Sequence, residues 1–315
     1  MITALSCQRD KPSIDTDAEF RKRGNKVPAF SSENAFAYIE TQLAFGPRNP
    51  NSEGHRNAAT FFEDKLREFS GNNVFIQRFT AEGYDEILEL HNFIAAFNPE
   101  SRFRILLCAH WDTRPRAEHD PDEELAQKPI LGADDGASGV AVLLELARIM
   151  SENAPPVGVD IVLFDGEDYG HEDDLDRYFL GSRYWSENPP VPGYMPRFGI
   201  LLDMVGGVDA VFPREGYSMR YAPRVVDAVW GIAKEKGFNR FSDEPGLAIL
   251  DDHYILNTIY GLPTINIIHQ SRDEFGRWGF PDWWHTHNDD IDIIDKQTLQ
   301  EVGEVLLELI YNRLQ

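Results

Sequence analysis

Two cysteines in 315 residues, Cys7 and Cys108, are too few for a disulfide framework or a cysteine-based metal centre. Cys108 stands inside the apolar run ILLCAH, where a thiol serves as small core filler. Long hydrophobic runs are also missing, and no stretch approaches the ~20 apolar residues of a membrane-spanning helix. Positive charge is scarce: 30 Lys and Arg stand dispersed among 53 Asp and Glu, for a formal net charge of -23. That balance argues against a nucleic-acid partner, which needs clustered basic residues, and favours a neutral or cationic substrate, basic peptides included. Repeats and low-complexity linkers are absent from residues 32 to 315. What is there, 42% hydrophobic and 26% charged residues, is the composition of an ordinary folded protein.

Residues 1–31 are charged, with scattered Pro and Gly and no periodicity, which reads as a tether or surface arm; residues 32–315 read as a single domain. Leu5-Ser6-Cys7 resembles the end of a bacterial lipoprotein signal, in which the cysteine is lipidated. That reading implies an anchor at Cys7 and a periplasmic or envelope location. Met1 as a plain start is the alternative.

From residue 32 on, Ser32 reads as the N-cap of an amphipathic helix, and a second helix follows the turn-rich GPRNPNSEGH. NVFIQRFTA and ILELHNFIAAF alternate as strands. Four later apolar runs, ending near Ala109, Phe164, Leu202 and Ile268, suit strands buried on both faces, with amphipathic segments between them and a loop carrying Asp251, Asp252 and His253 before the last. Strands alternating with helices imply a three-layer α/β/α sandwich around a mixed, largely parallel sheet, the early pair antiparallel. In such sheets sites form beyond the carboxyl ends of the strands. His110, Asp112, Glu167, Asp168 and Asp203 each follow an apolar run directly, so the fold gathers them at one edge.

Adjacent side chains on extended backbone point to opposite sides, so at VDIVLFDGED one acid can hold a metal while its neighbour faces a substrate. Donors at the edge are His110, Asp135, Glu167, Asp168, Asp203, His285 and His287, types that suit zinc with three protein ligands and an open position. No pair has a tight, diagnostic spacing. For Asp134 and Asp135 the competing reading is a helix cap before Ala137.

The ordered set HWD (110–112), GADDGASG (132–139), FDGED (164–168), LLDMVG (201–206) and FPDWWHT (280–286) resembles the M28 zinc-aminopeptidase superfamily, and GSRYW, DDH (251–253) and FPDWWHT resemble its glutaminyl cyclase branch. The resemblance implies a zinc-aminopeptidase-like fold and one zinc per chain, held by Asp135, Asp168 and His285, with His287 the runner-up to His285. It implies Glu167 as general acid and base, with Asp203, Asp251 and Asp252 in a network of acids around it and the choice within the last pair open. His110, Asp112 and His253 are implied to support the site from behind. Phe280, Trp283 and Trp284 read as pocket walls, with Trp185, Trp230 or Trp278 as candidates for the far side. The superfamily usually has Glu-Glu at the turn, whereas this chain has Glu167-Asp168.

The implied reaction is cyclisation of an N-terminal glutamine of peptides or proteins to pyroglutamate with loss of ammonia. Two rivals remain: a two-zinc aminopeptidase, with His110 and Asp203 completing a second site, and an inactive peptide-binding lipoprotein on the same scaffold.

Overall fold

The computed structural model describes residues 20–314; Cys7 and the proposed lipidation signal lie outside them. The elements in order are α1 (Ser32–Ala44), α2 (Glu53–Ser70), β1 (Val74–Glu82), β2 (Ile87–Phe97), β3 (Arg104–His110), α3 (Ala137–Glu152), β4 (Gly158–Phe164), α4 (Leu180–Glu187), β5 (Gly199–Asp203), β6 (Phe212–Arg214), α5 (Gly216–Tyr221), α6 (Pro223–Lys236), β7 (Phe241–Pro245), α7 (Asp252–Ile255), β8 (Thr264–Ile268) and α8 (Lys296–Glu308). Six strands form the central sheet in the order β1-β2-β4-β3-β5-β8. β2 runs antiparallel to both neighbours, while β4, β3, β5 and β8 are parallel to one another. Strands β6 and β7 pair separately.

Side-chain alternation divides the core into two layers. Ile105, Leu107 and Ala109 of β3, with Val159, Ile161 and Leu163 of β4, face the larger layer, which α1, α2, α3, α6 and α8 cover. Leu106, Cys108, Val162 and Phe164 face the other layer, closed by Trp185, Leu256 and Leu262. Cys108 is thus a buried free thiol in the core. No helix among the described residues is long and apolar enough to cross a membrane.

Three local expectations need correction. Ser31, not Ser32, caps α1, its hydroxyl accepting from the Asn34 amide at 3.3 Å. Asp134 and Asp135 do not cap α3; its cap is Gly136, at φ 97°, where an added Cβ would meet the Asp112 carbonyl oxygen at 2.7 Å. The segment carrying Asp251 to His253 is not a plain loop but opens the short helix α7, whose cap is Asp251. The described part of the N-terminal arm, exposed or half-buried along most of its length, is fastened at two points: Phe30 is buried in the larger core, and the Asn312 side chain accepts from the amides of Arg23 and Asn25.

Candidate active site

Parallel strands place their carboxyl ends together, and the loops leaving β3, β4, β5 and β8 surround one cleft of about 390 Å³. Its floor carries Asp135, Glu167, Asp168, Asp203, Asp251 and His285. Its walls are Tyr178 and Phe179 on one side, Leu247 to Leu250 on another, and Phe280 with Trp284 on a third. The floor is acidic and the walls are apolar.

Three of the floor acids, Glu167, Asp168 and Asp135, are held through their backbone amides. Asp112, fully buried beyond β3, accepts the amides of Glu167 and Asp168 at 3.0 and 3.2 Å and so fixes the turn after β4. Gly166 makes that turn at φ 68°, a left-handed conformation that glycine adopts without penalty. Asp289 does the same for the loop before α3, accepting the amides of Asp134 and Asp135 at 2.7 and 3.1 Å. Asp134 is turned from the cleft and accepts from the Gly206 amide at 2.8 Å. Behind both loops lies Arg48, fully buried, donating to the carbonyls of Trp111, Leu131 and Gly132. Burial lowers its pKa to about 10 against the opposing pull of Asp289, Asp112 and Asp135.

Two groups of donor atoms share Asp135, and within each group the atoms lie within 4.8 Å of one another. The first is Asp135, Asp168 and His285. His285 Nε2 stands 3.5 Å from Asp168 Oδ1 and 3.9 Å from Asp135 Oδ2, and Asp168 Oδ2 is buried without a partner. His285 also sits at φ 57°, a left-handed backbone costing a non-glycine residue roughly 1–2 kcal/mol. Strain of that kind is kept where the side-chain direction matters. The second group is His110, Asp135 and Asp203, and here direct pairing is already closed: His110 Nε2 lies 3.0 Å from Asp135 Oδ1 and 3.3 Å from Asp203 Oδ1. A third group joins the exposed His119 and Glu172 to the buried His285, and no local pattern pointed to it.

The charges pull the carboxyl pKa values apart. Burial raises Glu167 well above the ordinary range, and the neighbouring charges of Asp168, Asp251 and Asp252 add to this while His110 opposes it. Burial would also raise Asp168, but the Arg114 guanidinium and His285 hold it well below the usual carboxylate range. Asp203 is pushed up to about 6, chiefly by burial, and Asp251 to about 7 by burial and the Asp203 charge. Burial and Asp251 raise Asp252 to about 8.

Within the last pair the geometry separates the two acids. Asp251 lines the cleft and accepts from the Asn266 side-chain amide at 2.6 Å, while Asp252 is fully buried outside the lining. Trp284 lines the cleft, stacked on Phe280 and His285 at 4.1 and 3.6 Å between ring centres. Trp283 corrects the expectation: it is outside the lining, its indole N–H turned to Asp134 and its ring beside His269. Trp185 and Trp230 are core residues and Trp278 lies under Arg272, so Tyr178 and Phe179 take the place sought for a further tryptophan. His287 pairs with Asp120 at 2.9 Å. His253 donates or accepts at Glu215, 3.0 Å away and also fully buried. Arg48, Arg114, Glu215 and Asp289 were not anticipated from the sequence, and only the charged residues of GPR and NDD inside turn-rich loops hinted at two of them.

A doubly covered, mostly parallel sheet with an acidic metal-type site at its carboxyl edge defines a zinc-exopeptidase-like fold. The chain belongs to peptidase family M28, which matches residues 92–310. Among solved structures it is similar to a Bacteroides thetaiotaomicron glutaminyl cyclase bound to N-acetylhistamine, at 46% identity over 91% of this chain and 100% of that one, with a TM-score of 0.87. A Zn-dependent exopeptidase from Parabacteroides distasonis is alike at 42% identity, with the same coverages and the same TM-score. The Bos taurus glutaminyl-peptide cyclotransferase is 22% identical over 82% of this chain and 76% of its own length.

Proposed function

We infer that this chain is a zinc-dependent glutaminyl cyclase, converting N-terminal glutamine of peptides and proteins to pyroglutamate with release of ammonia. The observation that carries the reading is a buried acid, Glu167, standing beside the donor group Asp135, Asp168 and His285 at one apolar-walled cleft. The similarity to bacterial glutaminyl cyclases selects cyclisation among the reactions such a site can serve.

Asp135, Asp168 and His285 suit zinc, being two carboxylates and an imidazole, and the partnerless Asp168 Oδ2 is a buried donor that a cation would satisfy. The ion would supply Lewis acidity toward the γ-carboxamide oxygen. Glu167 takes the proton from the attacking α-amine and returns it to the departing ammonia, so the C–N bond of the lactam forms as the amide C–N bond breaks. Asp251 and Asp252 add negative charge around Glu167 and hold its proton affinity high, and Asp203 acts in turn on Asp251. Attack is intramolecular; the walls of Trp284, Phe280, Tyr178 and Ile249 serve to fold the side chain back and keep bulk water out.

The second donor group and the exopeptidase among the neighbours favour a two-zinc aminopeptidase as the alternative. Direct His110 pairing to Asp135 and Asp203 supports one metal. Mass spectrometry on a Gln-initiated peptide separates the two: a loss of one ammonia with no shortening is expected, and free glutamine with a shortened peptide would overturn the reading. Chelation is expected to abolish turnover, with one equivalent of zinc restoring it fully. A periplasmic or envelope location through lipid on Cys7 belongs to the same reading, and fatty-acid labelling lost in Cys7→Ala tests it.

A further inference from the structure

An aspartate reaches one methylene less far than a glutamate, so a ligand at position 168 has little freedom to seek its ion. Its surroundings remove what freedom remains. The Asp168 amide is held by Asp112 at 3.2 Å, its carbonyl accepts from Arg114 Nη1 at 3.1 Å, and its Oδ1 accepts from the same Nη1 at 2.7 Å. Arg114 is itself locked: Nε and Nη2 each donate to a Glu118 oxygen at 2.7 Å, a two-point fork, and the guanidinium lies 5.4 Å from the centre of the Tyr178 ring. The arginine is fully buried, and the oxygen it leaves untouched, Oδ2, is the one without a partner.

We propose that Arg114 is a positioning residue for the metal ligand Asp168, holding its carboxylate through Oδ1 so that the group meets zinc beside His285 in one fixed orientation, and linking that ligand to the cleft wall through Tyr178. The inference rests on the metal reading of Asp168. It assigns the guanidinium a role that an ammonium group lacks the geometry to fill, because a lysine has no fork with which to meet Glu118 and Asp168 together.

Zinc affinity of the apoprotein, measured by competition with a fluorescent chelator, tests this without reference to turnover. Arg114→Lys is expected to weaken zinc binding roughly 10- to 100-fold, the usual consequence of losing a group that orients a ligand. Arg114→Met is expected to weaken it at least as much. Adding Asp168→Glu to Arg114→Met, which restores the missing reach, is expected to recover affinity to within a few-fold of the parent. Folding of each apoprotein is followed by its melting curve; if Arg114→Met does not fold, Arg114→Lys carries the test. Zinc affinity unchanged in the folded lysine variant overturns the proposal, as does a folded double variant without recovery. Should Asp168→Ala alone leave zinc affinity unchanged, the metal reading itself has failed, whatever Arg114 does.

Discussion

Glu167 and Asp168 share one turn and one pair of backbone anchors on Asp112, yet their surroundings differ, with burial among acids on one side and a guanidinium on the other. In the proposed mechanism proton transfer therefore falls to Glu167. Glu167→Gln keeps the shape and removes the basic oxygen; kcat for a Gln-peptide is expected to fall roughly 100- to 10,000-fold, with zinc content and melting temperature unchanged. Retained turnover would remove Glu167 from the mechanism. The adjacent tryptophans make a second comparison. Trp284→Ala opens the cleft wall and is expected to raise KM about tenfold, worth ~1.4 kcal/mol, whereas Trp283→Ala loses a contact outside the cleft and is expected to lower stability while leaving KM within about twofold. Such neighbours mark where sequence reading stops. A DD or WW pair names two candidates, and only the backbone direction says which faces the cleft.

At the scale of elements, the buried strands were legible because strands covered on both faces carry uninterrupted apolar runs, and each run ended where an acid or histidine began. What ties the loops together was not legible. Arg48 and Gly132, Asp289 and Asp135, and Glu215 and His253 meet across long stretches of chain, and no local periodicity reports a contact of that range. Glu215 shows the consequence. It caps α5 through the amides of Tyr217 and Ser218, accepts from the Ile249 amide in the cleft wall, and pairs with His253 of α7. Burial would raise its pKa, but His253 and the Ser218 hydrogen bonds bring it down to about 2 from an ordinary 4.5. Because the folded pKa is the lower one, its contribution, on the order of 3 kcal/mol, is fully present above pH 4.5 and is lost as pH falls toward 2. Glu215→Gln is expected to lower the melting temperature at pH 7 and to flatten its decline between pH 4.5 and 2. Parallel melting curves for parent and variant across that window would show that Glu215 carries no such linkage.

Taken as a whole, the molecule carries a formal charge of -23 around an active cleft whose floor is acidic and whose mouth bears the exposed side chains of Leu175, Leu247 and Leu250. Long-range attraction and local contact therefore ask different things of a peptide. The field draws a positively charged chain toward the surface, while the rim offers apolar contact to whatever follows the glutamine. The two effects respond differently to salt, since screening at 0.15 M reaches within about 8 Å and at 1 M within about 3 Å, whereas apolar contact survives. For Gln-peptides carrying lysine or arginine several residues downstream, kcat/KM is expected to exceed that of neutral peptides at low salt and to converge on it as salt rises. Neutral peptides with a large apolar second residue are expected to keep their KM advantage throughout. A cationic preference that persists at 1 M salt would place the discrimination in a specific contact instead of the overall field, and no preference at low salt would mean that the charge lies too far from the cleft mouth to steer substrates.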